Sequence, residues 1–236
     1  MTDHVGSVES EAAELNAALQ TAAPAEVIAA ALERVGRERL ALVSSFGTES
    51  AALLLVMAKV DPAIPVIFLD TGMLFVETLA YRDTLIATLG LTDVRSMQPD
   101  EAALKASDPD GELWFSDPDA CCWLRKVEPL ARALSPFAAW INGRKRFQGG
   151  ARAEIAVVEA DGERLKFNPF ANVSRAAIDA IYADNKLPPH PLLAAGFLSV
   201  GCMPCTSRAG PDEDARAGRW RGRTKSECGI HTMRTS

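Results

Sequence analysis

The stretch Arg39-Leu-Ala-Leu-Val-Ser-Ser-Phe-Gly-Thr-Glu-Ser50 decides the fold. Leu40 to Val43 is an unbroken apolar run. It stops in small and polar residues and passes into Ala51-Ala-Leu-Leu-Leu-Val-Met-Ala58, a helical stretch. A short apolar run without alternation reads as a strand buried on both faces. The pattern then repeats: Ile64-Pro-Val-Ile-Phe-Leu-Asp70 is a second strand, Glu77 to Leu89 a second helix, and Leu91 to Met97 a third strand. Strands alternating with helices predict a parallel sheet covered by helices on both faces. Ligands of such sheets bind at the carboxyl ends of the strands. Ser44 to Ser50 and Leu69-Asp-Thr-Gly72 both fall there.

Outward from this unit, residues 8–35 predict one or two amphipathic helices broken near Pro24. Residues 108–119 read as an acidic loop and Cys121 to Leu134 as a helix. Phe137 to Gly143 reads as a strand and turn. Two alternating runs around Asp161-Gly162 give a hairpin signal, and a helix is expected near Ala176–Asn185. After Cys205 large apolar residues are scarce, with Trp220 and Ile230 nearly alone. We therefore expect an α/β domain over residues 1–205, its mostly parallel sheet having a mixed edge, and a mobile C-terminal tail over 206–236.

The chain has 236 residues, 48% hydrophobic and 24% charged, with net charge −6, which argues against a nucleic-acid surface. Arg216, Arg219, Arg221, Arg223, Lys225 and Arg234 nevertheless make the tail basic, which suits a small anionic ligand. The start lacks a signal-peptide pattern, and no apolar run approaches the roughly 20 residues of a membrane span. The expectation is a cytoplasmic protein with no membrane partner; a homo-oligomer is compatible with the sequence. Five cysteines, Cys121, Cys122, Cys202, Cys205 and Cys228, point to metal or catalytic chemistry over a disulfide framework.

Ser45, Phe46 and Gly47 lie between strand and helix, where backbone N–H groups gather an anion; a plain helix cap by Thr48 or Ser50 is the bland alternative. Cys121-Cys122 and Cys202-Met-Pro-Cys205 offer four thiolates, which suit zinc or an iron–sulfur cluster. Cys228 has Arg223, Lys225 and His231 nearby in sequence, cations of the kind that activate a thiolate. His190, between prolines, reads as structural. Asp70 reads equally as a functional acid or a helix cap.

Longer motifs resemble one family. Ser45-Phe-Gly-Thr-Glu-Ser50 resembles the phosphate loop of sulfonucleotide reductases, a variant of the adenine-nucleotide alpha-hydrolase loop. Cys121-Cys-Trp-Leu-Arg-Lys-Val-Glu-Pro-Leu130 resembles the tandem-cysteine motif of the iron–sulfur adenylyl-sulfate (APS) reductases. Glu227-Cys-Gly-Ile-His231 matches the terminal signature of APS and 3′-phospho-APS (PAPS) reductases. Trp140-Ile-Asn-Gly-Arg-Lys-Arg-Phe-Gln148 resembles a further family segment, with Phe147 in place of a frequent acidic residue.

The resemblance implies a 4Fe–4S cluster on Cys121, Cys122, Cys202 and Cys205, with Lys126 between cluster and substrate. It implies that Cys228 takes the sulfonate group, and that thioredoxin or a glutaredoxin-like dithiol then releases sulfite. It places Ser45, Phe46, Gly47, Leu69, Gly143, Arg152, Arg216, Arg219 and His231 at the substrate. The rival readings are a PAPS reductase, with Arg144, Lys145 and Arg146 as candidates for a 3′-phosphate, an ATP-pyrophosphatase-type thiolation enzyme, and a zinc-stabilised binding protein.

Overall fold

The computed structural model describes residues 2–210 and 212–231, with side chains from Ser7 onward; Arg234 lies outside them. Six strands form one sheet in the order β3-β2-β1-β4-β6-β5. They are β1 (Leu40–Val43), β2 (Val66–Leu69), β3 (Val94–Met97), β4 (Ala139–Ile141), β5 (Val158–Asp161) and β6 (Arg164–Phe167). All neighbours run parallel except β5, which pairs antiparallel with β6 through the predicted hairpin, Val158 opposite Phe167 and Asp161 opposite Arg164.

The central strands are apolar because both their faces are covered. Leu40, Leu42, Val66 and Phe68 face the larger core with α2 (Pro24–Val35), α3 (Ser50–Val60) and α4 (Val76–Leu89). Ala41, Val43, Ile67 and Trp140 face the other way, onto Leu130, Ala133 and Leu134 of the helix Glu128–Leu134. The N-terminal helix α1 (Thr2–Leu19) lies along the antiparallel edge, where Asn16 Oδ1 accepts from the backbone N–H of Val157 and Val158. That contact occupies donors next to an exposed edge strand.

The expected elements are present, with two local differences. Residues 108–119 are not merely a solvated loop. Leu113–Ser116 form a helical turn, and Asp108 is buried against Arg125 with an Oδ2 to Nη2 distance of 2.6 Å. The helix through the tandem cysteines widens to π geometry over Trp123–Val127 before continuing. The tail, though it builds no core of its own, packs on the domain: Trp220 is 4% exposed and Thr206 bridges Arg219. Among the described residues no helix is long and apolar enough to cross a membrane.

Candidate functional site

Strand order reverses about β1: β2 lies on one side of it and β4 on the other. A crevice opens beyond the carboxyl ends at such a switch point, and there the chain has a cleft of about 370 Å³. Ser44, Ser45, Gly47 and Ser50 line it after β1, Phe68 and Leu69 at the end of β2, and Asn142 and Gly143 after β4. The tail supplies Arg216, Arg219, Cys228, Ile230 and His231. Of the residues that the sequence reading placed at the substrate, Ser45, Gly47, Leu69, Lys126, Gly143, Arg152, Arg216, Arg219 and His231 line this cleft, together with Cys228.

Phe46 is the exception. Its side chain is fully buried in the core, edge-to-face with Phe68 at 5.4 Å, and does not line the cleft. It holds a left-handed backbone (φ 47°), an uncommon state for a bulky residue. Burying a phenylalanine contributes roughly 1.5–3 kcal/mol, which offsets that strain. Two loop donors are already engaged: Phe46 N–H donates to Ser44 Oγ at 3.1 Å and Gly47 N–H to Ser50 Oγ at 2.9 Å. An anion on this loop therefore has to compete with local hydroxyls for those two groups.

The wall of the cleft is cationic although the protein is acidic. Lys126, Arg144, Lys145, Arg152, Arg175, Arg216 and Arg219 line it, against Glu49, Asp214 and Glu227. Several of these cations are committed. Lys145 Nζ lies 2.7 Å from Glu49, which also pairs with Arg175 and accepts from Gln148. Burial alone would raise the Glu49 carboxyl; Lys145 and Arg175 outweigh it and hold the pKa low. Arg144 pairs with Glu159. Arg152 donates to both oxygens of Glu227, at 2.5 and 2.8 Å, and Arg216 lies 3.4 Å from the same carboxylate. Sequence reasoning assigned no role to Glu49, Glu159 or Gln148. They sit far from their partners in sequence, and only the fold joins them.

Arg219 reaches the cleft across Gly201, where any Cβ would meet its Nη2 at 2.1 Å. The Arg219 Nε and His231 Nδ1 atoms are buried without a hydrogen-bond partner among the described residues. Burial, reinforced by Arg144, Lys166, Arg152 and Arg216, keeps the His231 imidazole neutral. Its ring stacks on Trp140 at 5.6 Å.

A second, small cavity adjoins the first. Cys121, Cys122, Cys202 and Cys205 all line it, together with Arg125 and Met73. Asp117 caps the short helix Pro118–Cys122 by accepting from Asp119 N and Ala120 N, which aims its last turn inward. Neighbours on a helix diverge by about 100°, yet Cys121 and Cys122 are both buried here, because this cavity takes both sides of the turn. Lys126 and Trp220 line both cavities and form the partition between them. Burial drives the Cys121 thiol up to about 12 and Cys122 up to about 11. Burial would raise Cys202 too, but Lys126, Thr71 and Arg219 lower it. Arg125 Nε and Trp220 Nε1 are further buried donors without a partner among the described residues. Among those residues no three acidic, histidine or cysteine side chains are gathered to hold a single metal ion.

Two residues singled out in the sequence lie elsewhere. His190 accepts from Leu192 N through Nδ1 and meets Thr78 Oγ1 through Nε2 at 3.1 Å, a structural arrangement. Asp70 accepts from Gly72 N and Gln98 Nε2, and lines neither cavity.

A mostly parallel sheet, covered on both faces and with a cationic cleft at its switch point, is an α/β architecture of the adenine-nucleotide alpha-hydrolase-like type. The particular family follows from comparison. The phosphoadenosine phosphosulfate reductase domain matches residues 39–208, and the chain belongs to that family. The adenosine 5'-phosphosulfate reductase of Mesorhizobium japonicum is 48% identical over 97% of this chain and 92% of that protein. A phosphoadenosine 5'-phosphosulfate reductase of Gloeobacter violaceus is 41% identical over 89% of this chain and 88% of that protein. Among solved structures, the phosphoadenylyl-sulfate reductase of Candida auris in a phosphate complex superposes with a TM-score of 0.71. It is 26% identical and covers 84% of this chain and 97% of that one.

Proposed function

We propose that this protein reduces adenosine 5′-phosphosulfate to sulfite and AMP in assimilatory sulfate reduction and cysteine biosynthesis, with Cys228 as nucleophile. The observation that carries the reading is Cys228 in the wall of a cationic, nucleotide-sized cleft, beside Lys126 and the tail arginines. Close relatives named for this activity support it.

The phosphosulfate lies toward Lys126, Arg152, Arg216 and Arg219, and the adenosine toward Leu69 and Gly143. The Cys228 thiolate attacks the sulfate sulfur. The bond from sulfur to the bridging oxygen breaks, and AMP leaves with that oxygen and the electron pair. Cations aimed at the leaving phosphate stabilise the charge that develops there. The product is a Cys228 S-sulfonate. A dithiol such as thioredoxin then attacks Cys228 Sγ and releases sulfite. Its second thiol resolves the mixed disulfide, so the two electrons come from the dithiol and Cys228 returns as thiolate. Residues 206–236 act in this reading as a flap that carries Cys228 between the cleft and the reductant.

Cys121, Cys122, Cys202 and Cys205 would hold a 4Fe–4S cluster. Four thiols that line one cavity and act electrostatically on one another supply the ligand set that such a cluster needs. Arg125 and Trp220 line the same cavity, and each carries a buried donor without a partner among the described residues that would be available to a sulfur-rich group held there. The high thiol pKa values of Cys121 and Cys122 mean that cationic metal must accompany their ionisation. The group would supply a fixed charge distribution beside Lys126.

The use of APS over PAPS is favoured by the cations nearest the phosphate loop. Arg144, Lys145 and Arg175 are each paired with Glu159 or Glu49, and Arg146 donates to the Ile155 carbonyl and Asn172 outside the cleft, so a 3′-phosphate would have to displace a carboxylate before it met a cation here. The test is an intact-mass spectrum of anaerobic protein mixed with either nucleotide and no reductant, beside Cys228→Ser. A sulfonate adduct on the parent with APS, absent from the variant, is expected. No adduct with APS, or faster adduct formation with PAPS, overturns the assignment.

A further inference from the structure

We propose that Trp140 and Lys166 are positioning residues: together they form a platform behind the cleft on which the catalytic segment docks, and so set where the Cys228 sulfur sits. The inference rests on the reading of Cys228 as nucleophile given above.

The tail makes three contacts with this platform just beyond Cys228. Ile230 packs against the apolar cluster that contains Trp140, Ile67 and Leu134. The His231 imidazole lies parallel to the Trp140 indole, 3° between planes and 5.6 Å between centroids. Lys166 Nζ donates to the His231 backbone carbonyl at 3.3 Å. The platform itself is rigid. Trp140 is fully buried in β4, and its Nε1–H donates to Asp161 Oδ2 at 2.8 Å, which fixes the plane of the ring. Lys166, on β6, is 3% exposed, and its ammonium sits 5.0 Å from the centre of the same ring.

A buried ammonium needs acceptors. Glu159 is 3.8 Å away and is shared with Arg144, so the His231 carbonyl is the closest oxygen partner Lys166 has among the described residues. Undocking the tail takes that acceptor away, so the closed tail gains a charge-assisted hydrogen bond from below. His231 lies three positions after Cys228, and three residues reach at most about 11 Å. Anchoring the His231 carbonyl and ring therefore confines the sulfur to the near side of the cleft. Gly229, at φ 87°, makes the turn between sulfur and anchor. Neither Trp140 nor Lys166 lines the cleft, so neither touches substrate; they act through the segment they hold.

The test measures iodoacetamide alkylation of Cys228 in ligand-free anaerobic protein, read by peptide mass, in the parent, Lys166→Met, Trp140→Leu and Lys166→Arg. Losing a hydrogen bond to a charged group shifts an equilibrium by about tenfold or more, so Lys166→Met should speed Cys228 alkylation by about that factor. Trp140→Leu should act likewise, and Lys166→Arg, which keeps a donor, should stay near the parent. Single-turnover sulfonate formation from APS should slow in Lys166→Met and Trp140→Leu and stay near the parent in Lys166→Arg, while the far-UV circular dichroism of every variant matches the parent. A general loss of folding would change that spectrum as well. Hydrogen exchange of residues 226–231 provides a second reading, faster in Lys166→Met than in Lys166→Arg. Parent-like alkylation and exchange in Lys166→Met overturn the platform. Absence of any sulfonate on the parent overturns the role of Cys228 instead, and the alkylation pattern still decides whether the tail docks here.

Discussion

Gly201 shows how much a single missing methyl group can decide. The Arg219 guanidinium lies where a Cβ would be, at 2.1 Å from Nη2, and the backbone of Cys202 follows directly. Gly201→Ala should push Arg219 away from the cleft without disturbing the sheet. Losing one arginine–anion contact costs about 1.5–3 kcal/mol, so the APS KM should rise roughly tenfold to a hundredfold with the melting temperature retained. Steady-state kinetics beside a thermal scan check this. His190 makes a different kind of statement. Buried between Thr78 and Leu192, its imidazole is held neutral and its pKa driven down to about 4. The folded pKa lies below the usual 6.5 of histidine, so its contribution to stability is complete above that value and is lost as pH falls toward 4. Nitrogen-detected NMR should show no inflection for His190 between pH 5.5 and 7.5. Its structural role was legible, because a histidine in Pro188-Pro-His-Pro191 has no catalytic neighbours in sequence. The role of Phe46 was not. Its motif placed it at the phosphate loop, while its ring was free to turn into the core toward Phe68.

At the scale of elements, buried strands were the readable part, since β1 and β2 have to be apolar on both faces whatever packs on them. The acidic stretch 108–119 misled for a physical reason. A run of aspartates looks solvated until one of them finds a buried cation. Asp108 pairs with Arg125, whose Nη1 also donates to the Thr71 carbonyl at 2.9 Å, so this contact ties the loop to the helix of the tandem cysteines and to the turn after β2. Removing one partner leaves the other charged and buried, which costs about 3–5 kcal/mol. Asp108→Ala should therefore lower the free energy of unfolding by that much, with a matching fall in the denaturant midpoint, and loosen the cysteine cavity. Substitution of the exposed Asp110 in the same loop should do neither. Parallel unfolding curves test both. The π segment Trp123–Val127 was not anticipated, although Pro129 stands just beyond it in the continuing helix, where it lacks the N–H that would bond the Arg125 carbonyl and crowds that group.

Over the whole molecule, the tail is the element that joins sequence-distant parts into one site. It was legible as lacking a core, and Trp220 and Ile230 were visible as its lone large apolar residues. Their destinations were not legible, because one sequence does not say which distant surface a single side chain will meet. In the structure Trp220 becomes the partition between two cavities and Ile230 joins the cluster under β4. Glu227 completes the closure by pairing with Arg152 and Arg216, the two arginines that face it across the cleft. Burial would raise its carboxyl, but Arg152 and Arg216 lower the pKa, so it stays ionised. The same arginines are the ones the phosphosulfate is expected to use, which makes Glu227 an internal anion that the substrate has to displace or share with. Glu227→Gln removes the charge at nearly constant shape. Without it the arginines are uncompensated, so inorganic sulfate and AMP should bind several-fold tighter, as befits an interaction of about 1 kcal/mol at a half-buried pair. The ligand-free tail should at the same time lose its hold, and limited proteolysis between residues 206 and 231 should accelerate until AMP is added. Tighter anion binding with a looser tail would establish that closure and anion recognition share one pair of arginines; unchanged affinity with an unchanged proteolysis rate would show that Glu227 only decorates the rim of the cleft.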